Sequence, residues 1–297
     1  MLELVIEARR KSLGALEVGR ILPFMQRRMV GPFIFLDHIG PLALPPEVPR
    51  SADVRPHPHI GLSTVTYLFA GEIMHRDSLG VEQPIRPGAV NWMTAGQGIT
   101  HSERFDAMRA AGGDLHGLQA WVALPEAAEE DAPGFTHYGA EELPVLEEGG
   151  LKGRLIAGAA YGLRSKVRTH SPLFYLHLEL AAGASLALPS THPERAAYLV
   201  SGAVELEGRS HGAGQMLVFS PEAKPVLTAR EPAVLMLLGG EPVGERHIWW
   251  NFVSSRKERI EQAKADWAAG RFTLPTTDRA EFIPLPDEPK PRPEPMS

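Results

Sequence analysis

The sequence contains no cysteine. Disulfides, thiolate metal sites, iron–sulfur clusters and cysteine nucleophiles are thereby excluded in one step, and the absence fits a reducing compartment. Positive charge is also in short supply. Thirty Lys and Arg stand against 36 Asp and Glu, a formal net charge of −6, which argues against direct nucleic-acid binding because that requires a broad basic footprint. Long hydrophobic runs are missing as well. The longest, such as Ala233 to Leu238, are too short to cross a bilayer. Met1 to Lys11 carries Glu3, Glu7, Arg9, Arg10 and Lys11, where a signal peptide would need an apolar core. A cytoplasmic location without membrane association is expected.

What is present is ordinary for a globular chain. Its 297 residues are 43% hydrophobic and 22% charged, enough for a sizeable core in two domains or one large barrel. Glycine (29) and proline (27) are spread along the chain and punctuate short runs rich in Val, Ile, Leu, Phe and Tyr. Gly61–Ala70, Ala120–Leu124, Phe174–Leu180, Ala196–Leu206 and Gln215–Phe219 are such runs. Many short strands between turn signals predict an all-β sandwich or barrel. Long helical periodicity is nearly absent. The exception is Ser255-Arg256-Lys257-Glu258, which matches a capping box. It is followed by Ile260, Ala263 and Trp267 at helical spacing and by Gly270 as a stop.

The acidic, Gly/Pro-rich stretch from Pro125 to Lys152 predicts a boundary. The pairing of Tyr67-Leu68-Phe69-Ala70-Gly71-Glu72 with Tyr198-Leu199-Val200-Ser201-Gly202-Ala203 hints at a duplicated domain. The expected division is an N-terminal metal-binding domain over 1–134, a C-terminal metal-free domain with the helix over 135–284, and a flexible tail over 285–297. The tail alternates prolines with charges and should be extended and mobile.

The chemistry sits in two segments, Arg55-Pro56-His57-Pro58-His59-Ile60-Gly61 and Gly96-Gln97-Gly98-Ile99-Thr100-His101-Ser102-Glu103. Each places two donors at spacing i, i+2, which on a strand sends both side chains to one face, about 7 Å apart. If the two strands face each other, three imidazoles and a carboxylate converge in a set suited to a divalent first-row metal with open positions. On spacing alone, Glu103 reads equally as a ligand or as a solvated surface acid. The remaining histidines, His75 and His116 among them, lack a second ligand segment and read as structural. His192-Pro193-Glu194 reads the same way. Gly96-x-Gly98-x-x-His101 lacks the third glycine of a dinucleotide fingerprint, and no P-loop, G-x-S-x-G or H-E-x-x-H is found.

Longer motifs carry a resemblance. His57-Pro58-His59-x-Gly61 runs into Thr64-Val65-x-Tyr67-Leu68, and Trp92-Met93-Thr94-Ala95-Gly96-x-Gly98-Ile99-x-His101-x-Glu103 follows. His116-Gly117-Leu118-Gln119-x-Trp121-Val122 and, more loosely, Gly239-Gly240-Glu241-Pro242 complete the set. The chain resembles the pirin family of the cupin superfamily over nearly its whole length. The resemblance implies two antiparallel cupin (jelly-roll) barrels packed together, with a C-terminal helix. It also implies one Fe(2+) per chain held by His57, His59, His101 and Glu103, with other divalent transition metals left open. Ordinary single-site cupins carry their acid at the position of Thr64; here Glu103 takes that role.

The resemblance further implies quercetin 2,3-dioxygenase-type activity, with a flavonol-like aromatic substrate and O₂, and Glu103 as ligand or catalytic base. The alternative from another class is a metal- and redox-dependent regulatory protein that binds a transcription or metabolic-enzyme partner. A natural substrate other than a flavonol also stays open.

Overall fold

The computed structural model describes residues 1–13, 16–287 and 294–296. These residues fall into two compact units, and neither is continuous in sequence. One unit comprises 1–10, 19–38 and 138–242, and the other 11–18, 39–137 and 243–297. The expected linear division at 134 and 284 therefore misses both ends of the chain. The N-terminal strand Leu2–Glu7 is hydrogen-bonded beside Gln215–Phe219, and the terminal segment packs with the unit of residues 39–137. Strand pairings of this reach leave no mark on local composition.

The unit containing 138–242 is an antiparallel sandwich. Its larger sheet runs in the order Leu2–Glu7, Gln215–Phe219, Glu194–Ser201, Ala233–Gly240, Leu173–Leu180, Leu151–Ala160, Val145–Glu148. The smaller sheet orders Ser185–Ala187, Val226–Ala229, Ala203–Leu206 and Arg209–Gly212. Alternation explains the packing, because side chains two residues apart share a face. Phe174, Leu176, Leu178 and Leu180 point into one cluster, where they meet Leu235 and Leu237 from the same sheet and Leu186, Val204 and Leu227 from the other.

The second unit contains β1 (Val54–His59), β2 (Leu62–Ala70), β3 (Ile73–Asp77), β4 (Glu82–Ile85), β5 (Val90–Thr94), β6 (Ile99–Arg104) and β7 (Gly113–Ala123). One sheet has the order β1-β6-β3-β4, and β5-β2-β7 pair within another. Leu68 and Leu115 from the second sheet meet Ile73 and Ile85 from the first in one buried cluster. Both units are thus all-β, the antiparallel double-sheet form of a cupin.

The expected helix is present as Lys257–Ala268, with Ile260, Ala263 and Trp267 buried. They pack on Ile60, Trp249 and Phe252, and Gly270 follows at φ +67°, a conformation glycine takes without penalty. The capping box does not form. The helix starts at Lys257 after Arg256, with no side-chain cap. Ser255 instead gives its amide (2.8 Å) and hydroxyl (3.0 Å) to Glu129. That buried carboxylate also lies 2.9 Å from Arg246 and takes the Ser255 amide that Glu258 would have taken in the box.

Most of the expected mobile tail lies outside the described residues. Within it, Glu294–Met296 pairs antiparallel with Arg246–Trp249, which differs from a free tail; an open strand edge recruits such a partner. Among the described residues no helix is long and apolar enough to cross a membrane.

Candidate metal centre

Strand register assembles the site. β6 lies between β1 and β3, so that His101 faces His57 on one side and Asp77 on the other. Ile99 pairs with His59, and Glu103 pairs with His75. Direct partners in an antiparallel pair, and residues two apart on one strand, share a face. His57, His59, His101, Glu103, His75 and Asp77 therefore line the same side of this sheet.

The alternate residues of β6 point the other way and are tied down there. Ser102 donates to Asp278 at 2.6 Å, and Arg104 donates to both oxygens of Asp278 at 2.7 and 2.8 Å. Arg104 also reaches Glu281 at 3.1 Å, and its carboxylate partners raise its pKa above the usual guanidinium value against the opposing cost of burial. The segment after the terminal helix thus holds the ligand strand from behind.

The structure gathers three of the four expected ligands. One ring nitrogen from each of His57, His59 and His101 lies within 4.8 Å of the others, and all three side chains are buried. Glu103, two residues further along β6, is not in that cluster. The tautomers follow from the outer partners. Nδ1 of His57 lies 2.8 Å from the carbonyl of Arg55, and Nδ1 of His59 lies 3.1 Å from the carbonyl of Asn251. A carbonyl only accepts, so each Nδ1 carries the hydrogen and each Nε2 is bare. Nε2 of His59 then stands 3.1 Å from Nε2 of His101. That separation matches two nitrogens at right angles on a single octahedral metal ion, each about 2.1 Å from it and so about 3.0 Å apart. The donor set fits a metal.

Electrostatics agree. Burial lowers the pKa of His57 to about 4. Burial, reinforced by the neighbouring imidazoles, holds His59 and His101 well below their ordinary value. Neutral imidazoles are the form that binds metal. Burial acts on Glu103 in the opposite sense and pushes its carboxyl up to about 7.

Two residues read as structural, or not singled out at all, belong to this constellation. His75 lies 3.3 Å from His101 between their Nδ1 atoms, and its Nε2 lies 3.0 Å from Asp77. The signal available in the sequence was a third i, i+2 polar pair, His75-Arg76-Asp77, in a strand pattern. Aromatic walls are present: the Trp121 ring lies 5.2 Å from His59, and Phe135 stacks on His75 at 4.5 Å. His116 packs against Phe69 at 4.8 Å and stands outside the three-histidine cluster. In the other unit, Glu194 accepts the amide of Gly31 and His192 lies 3.3 Å from Glu241.

Residues 15–122 match the pirin family model, and residues 175–273 match the model of the pirin C-terminal cupin domain. A pirin-like protein of Caulobacter vibrioides is 62% identical over 288 residues, covering 97% of this chain and all of that protein. The crystal structure of quercetin 2,3-dioxygenase from Acinetobacter baumannii superposes with a TM-score of 0.88 at 32% identity, over 97% of this chain and 96% of that one. The bacterial pirin YhhW of Escherichia coli, solved in complex with nickel(II), has a TM-score of 0.61 at 18% identity, over 80% of this chain and 99% of its own, a likeness of fold. With both family models matched and a relative this similar along its whole length, the chain belongs to the pirin family of the cupin superfamily.

Proposed function

We propose that this protein is a mononuclear metal dioxygenase that opens flavonols such as quercetin with O₂ and releases carbon monoxide. The observation that carries the reading is the convergence of bare imidazole nitrogens in a buried, aromatic-walled site. The likeness to the Acinetobacter quercetin 2,3-dioxygenase supports the substrate class. In this reading His57, His59 and His101 hold Fe(2+), and Glu103 completes the set. When bound, the metal supplies Lewis acidity toward the flavonol hydroxyl and open positions for substrate and O₂. Trp121 and Phe135 flank the histidines and offer flat faces to an aromatic ligand. Glu103, on the same face of the sheet as the histidines, is the group placed to take the hydroxyl proton of the substrate as a general base.

The deciding experiment begins with metal analysis of protein purified under reducing conditions. Quercetin is then added without oxygen, and air is admitted. One metal per chain is expected, with the flavonol absorbance stable until oxygen enters and a ring-opened product together with carbon monoxide afterwards. A fully metal-loaded protein that leaves quercetin intact in air would refute the reading.

A further inference from the structure

His57 and His59 each give their outer hydrogen to a backbone carbonyl, which can only accept. His101 differs. Its outer nitrogen faces another imidazole, Nδ1 of His75 at 3.3 Å, and an imidazole nitrogen can either donate or accept. Nothing in that contact alone decides which nitrogen of His101 is left bare. The decision is made one step further out. Nε2 of His75 lies 3.0 Å from Oδ2 of Asp77. Oδ1 of Asp77 accepts the amides of Leu79 (2.9 Å) and Val81 (3.1 Å). Asp77 is 1% exposed, so its carboxylate is locked by the turn that follows β3, and the His75 ring is held against Phe135.

We propose that Asp77 and His75 are positioning residues that set the tautomer of His101 and thereby make its Nε2 a metal ligand. The carboxylate accepts, so Nε2 of His75 donates and Nδ1 of His75 accepts. Nδ1 of His101 then has an acceptor for its hydrogen, which leaves Nε2 bare for a metal; with the relay reversed, the hydrogen has only Nε2 to occupy, 3.1 Å from the bare Nε2 of His59. The chain runs from two backbone amides through a carboxylate and an imidazole to the ligand. It does for His101 what a carbonyl does for His57 and His59. Partners of this kind typically change metal affinity about 10- to 100-fold when removed. The inference rests on reading the three histidines as a metal centre.

Asp77→Asn tests it sharply. The two amides keep the side-chain oxygen, so the new NH₂ faces His75 and donates to it. Every bond in the chain reverses, and the hydrogen of His101 is driven onto Nε2, where a metal would sit. His75→Phe keeps the stack on Phe135 but imposes no direction. Two readouts separate the possibilities. Nitrogen-15 NMR of the metal-free protein reports the His101 tautomer: Nδ1–H is expected in the unmodified protein and Nε2–H in Asp77→Asn. Titration with Co(II), followed through its d–d absorption, reports affinity and ligand field.

Asp77→Asn should bind Co(II) about 10- to 100-fold more weakly, His75→Phe should lose less, and the double variant should match His75→Phe alone. Additive losses, or an unchanged tautomer and Co(II) affinity in Asp77→Asn, overturn the proposal. So does an Nε2–H tautomer in the unmodified protein, a result that stands even if Asp77→Asn fails to fold. If the unmodified protein shows the expected tautomer but takes up no Co(II), the tautomer relay survives and the metal-centre reading fails.

Discussion

Glu129 and Arg246 form an ion pair at 2.9 Å in which both side chains are almost wholly withdrawn from solvent, at 3% and 2% exposure. Arg246 also donates twice to the carbonyl of Leu124, and Glu129 takes the hydroxyl of Ser254 together with the amide and hydroxyl of Ser255. Removing one member of such a pair leaves the other charged and buried, at a cost of roughly 3–5 kcal/mol. Glu129→Gln should therefore lower thermal stability strongly, and the helix Lys257–Ala268 should lose amide-exchange protection first, at its N-terminal end. Equal protection along that helix in the variant would show that Glu129 does not anchor it.

Gly61 lies two residues after His59 at φ +68°, and a Cβ there would lie about 2 Å from the carbonyl oxygen of Val253. Gly61→Ala adds both a clash with backbone and a strained conformation. Because Val253 donates its own amide to Ile60, the strain falls next to His59. The variant should melt well below the unmodified protein and hold metal less tightly. Thermal melts with and without added metal, compared with Gly149→Ala, where a Cβ meets nothing within 4 Å, separate the close approach from loss of a glycine as such.

In the metal-free protein, burial lowers the pKa of His57 to about 4 and holds His59 and His101 well below the ordinary imidazole value. Unfolded histidines take up protons near pH 6.5. Between these values the unfolded chain binds protons that the folded chain refuses, so stability should fall as pH drops below about 6.5. Glu103 acts with the opposite sign. Its folded value of about 7 lies above the unfolded one, so its contribution is present under acid conditions and is lost as pH rises through 7. Three groups outweigh one across the acid limb. Glu103→Gln should consequently exceed the unmodified metal-free protein in stability above about pH 7 and converge with it near pH 4. Urea midpoints across this range provide the check, and a midpoint that rises on acidification would contradict the assignment.

Replacing His57, His59 or His101 by Ala removes one nitrogen donor from the three-histidine cluster. Most bound metal should be lost, and turnover with it. Glu103→Gln keeps the shape and an oxygen donor but loses the charge, so it should remain partly loaded. If Glu103 is also the base, activity per bound metal should fall in that variant; full activity per metal limits it to a ligand. Elemental analysis beside oxygen-dependent flavonol loss gives the ratio.

The ligand segments were legible because alternation is a local property. His57-Pro58-His59 and His101-Ser102-Glu103 must each project to one face once they are strands. Register is not local. That Asp77 lies opposite His101, and His75 opposite Glu103, depends on how β3 slides against β6, and nothing in Ile73–Asp77 states that offset. From the sequence alone, His75 therefore reads as structural. The helix start shows the same limit. Ser255 and Glu258 satisfy the capping pattern, but a carboxylate 126 positions upstream takes the donors of Ser255. Helix and strand content followed from periodicity, whereas the discontinuous makeup of the two units followed from pairings that composition does not encode.

The carbonyl that orients His59 belongs to Asn251, 192 positions later in the chain. During synthesis every expected ligand is made long before that partner exists. Residues 138–242, which belong to the other unit, emerge in between. Domains generally fold as units, with long-range closures last. The order this imposes is that the later-made unit can form while the ligand-bearing one waits for its own C-terminal segment. A chain ended before residue 243 would carry all four expected ligands and still lack the group that turns His59 toward them. It should bind metal more weakly than the whole protein, which would make metal capture an event of chain completion rather than of ligand emergence.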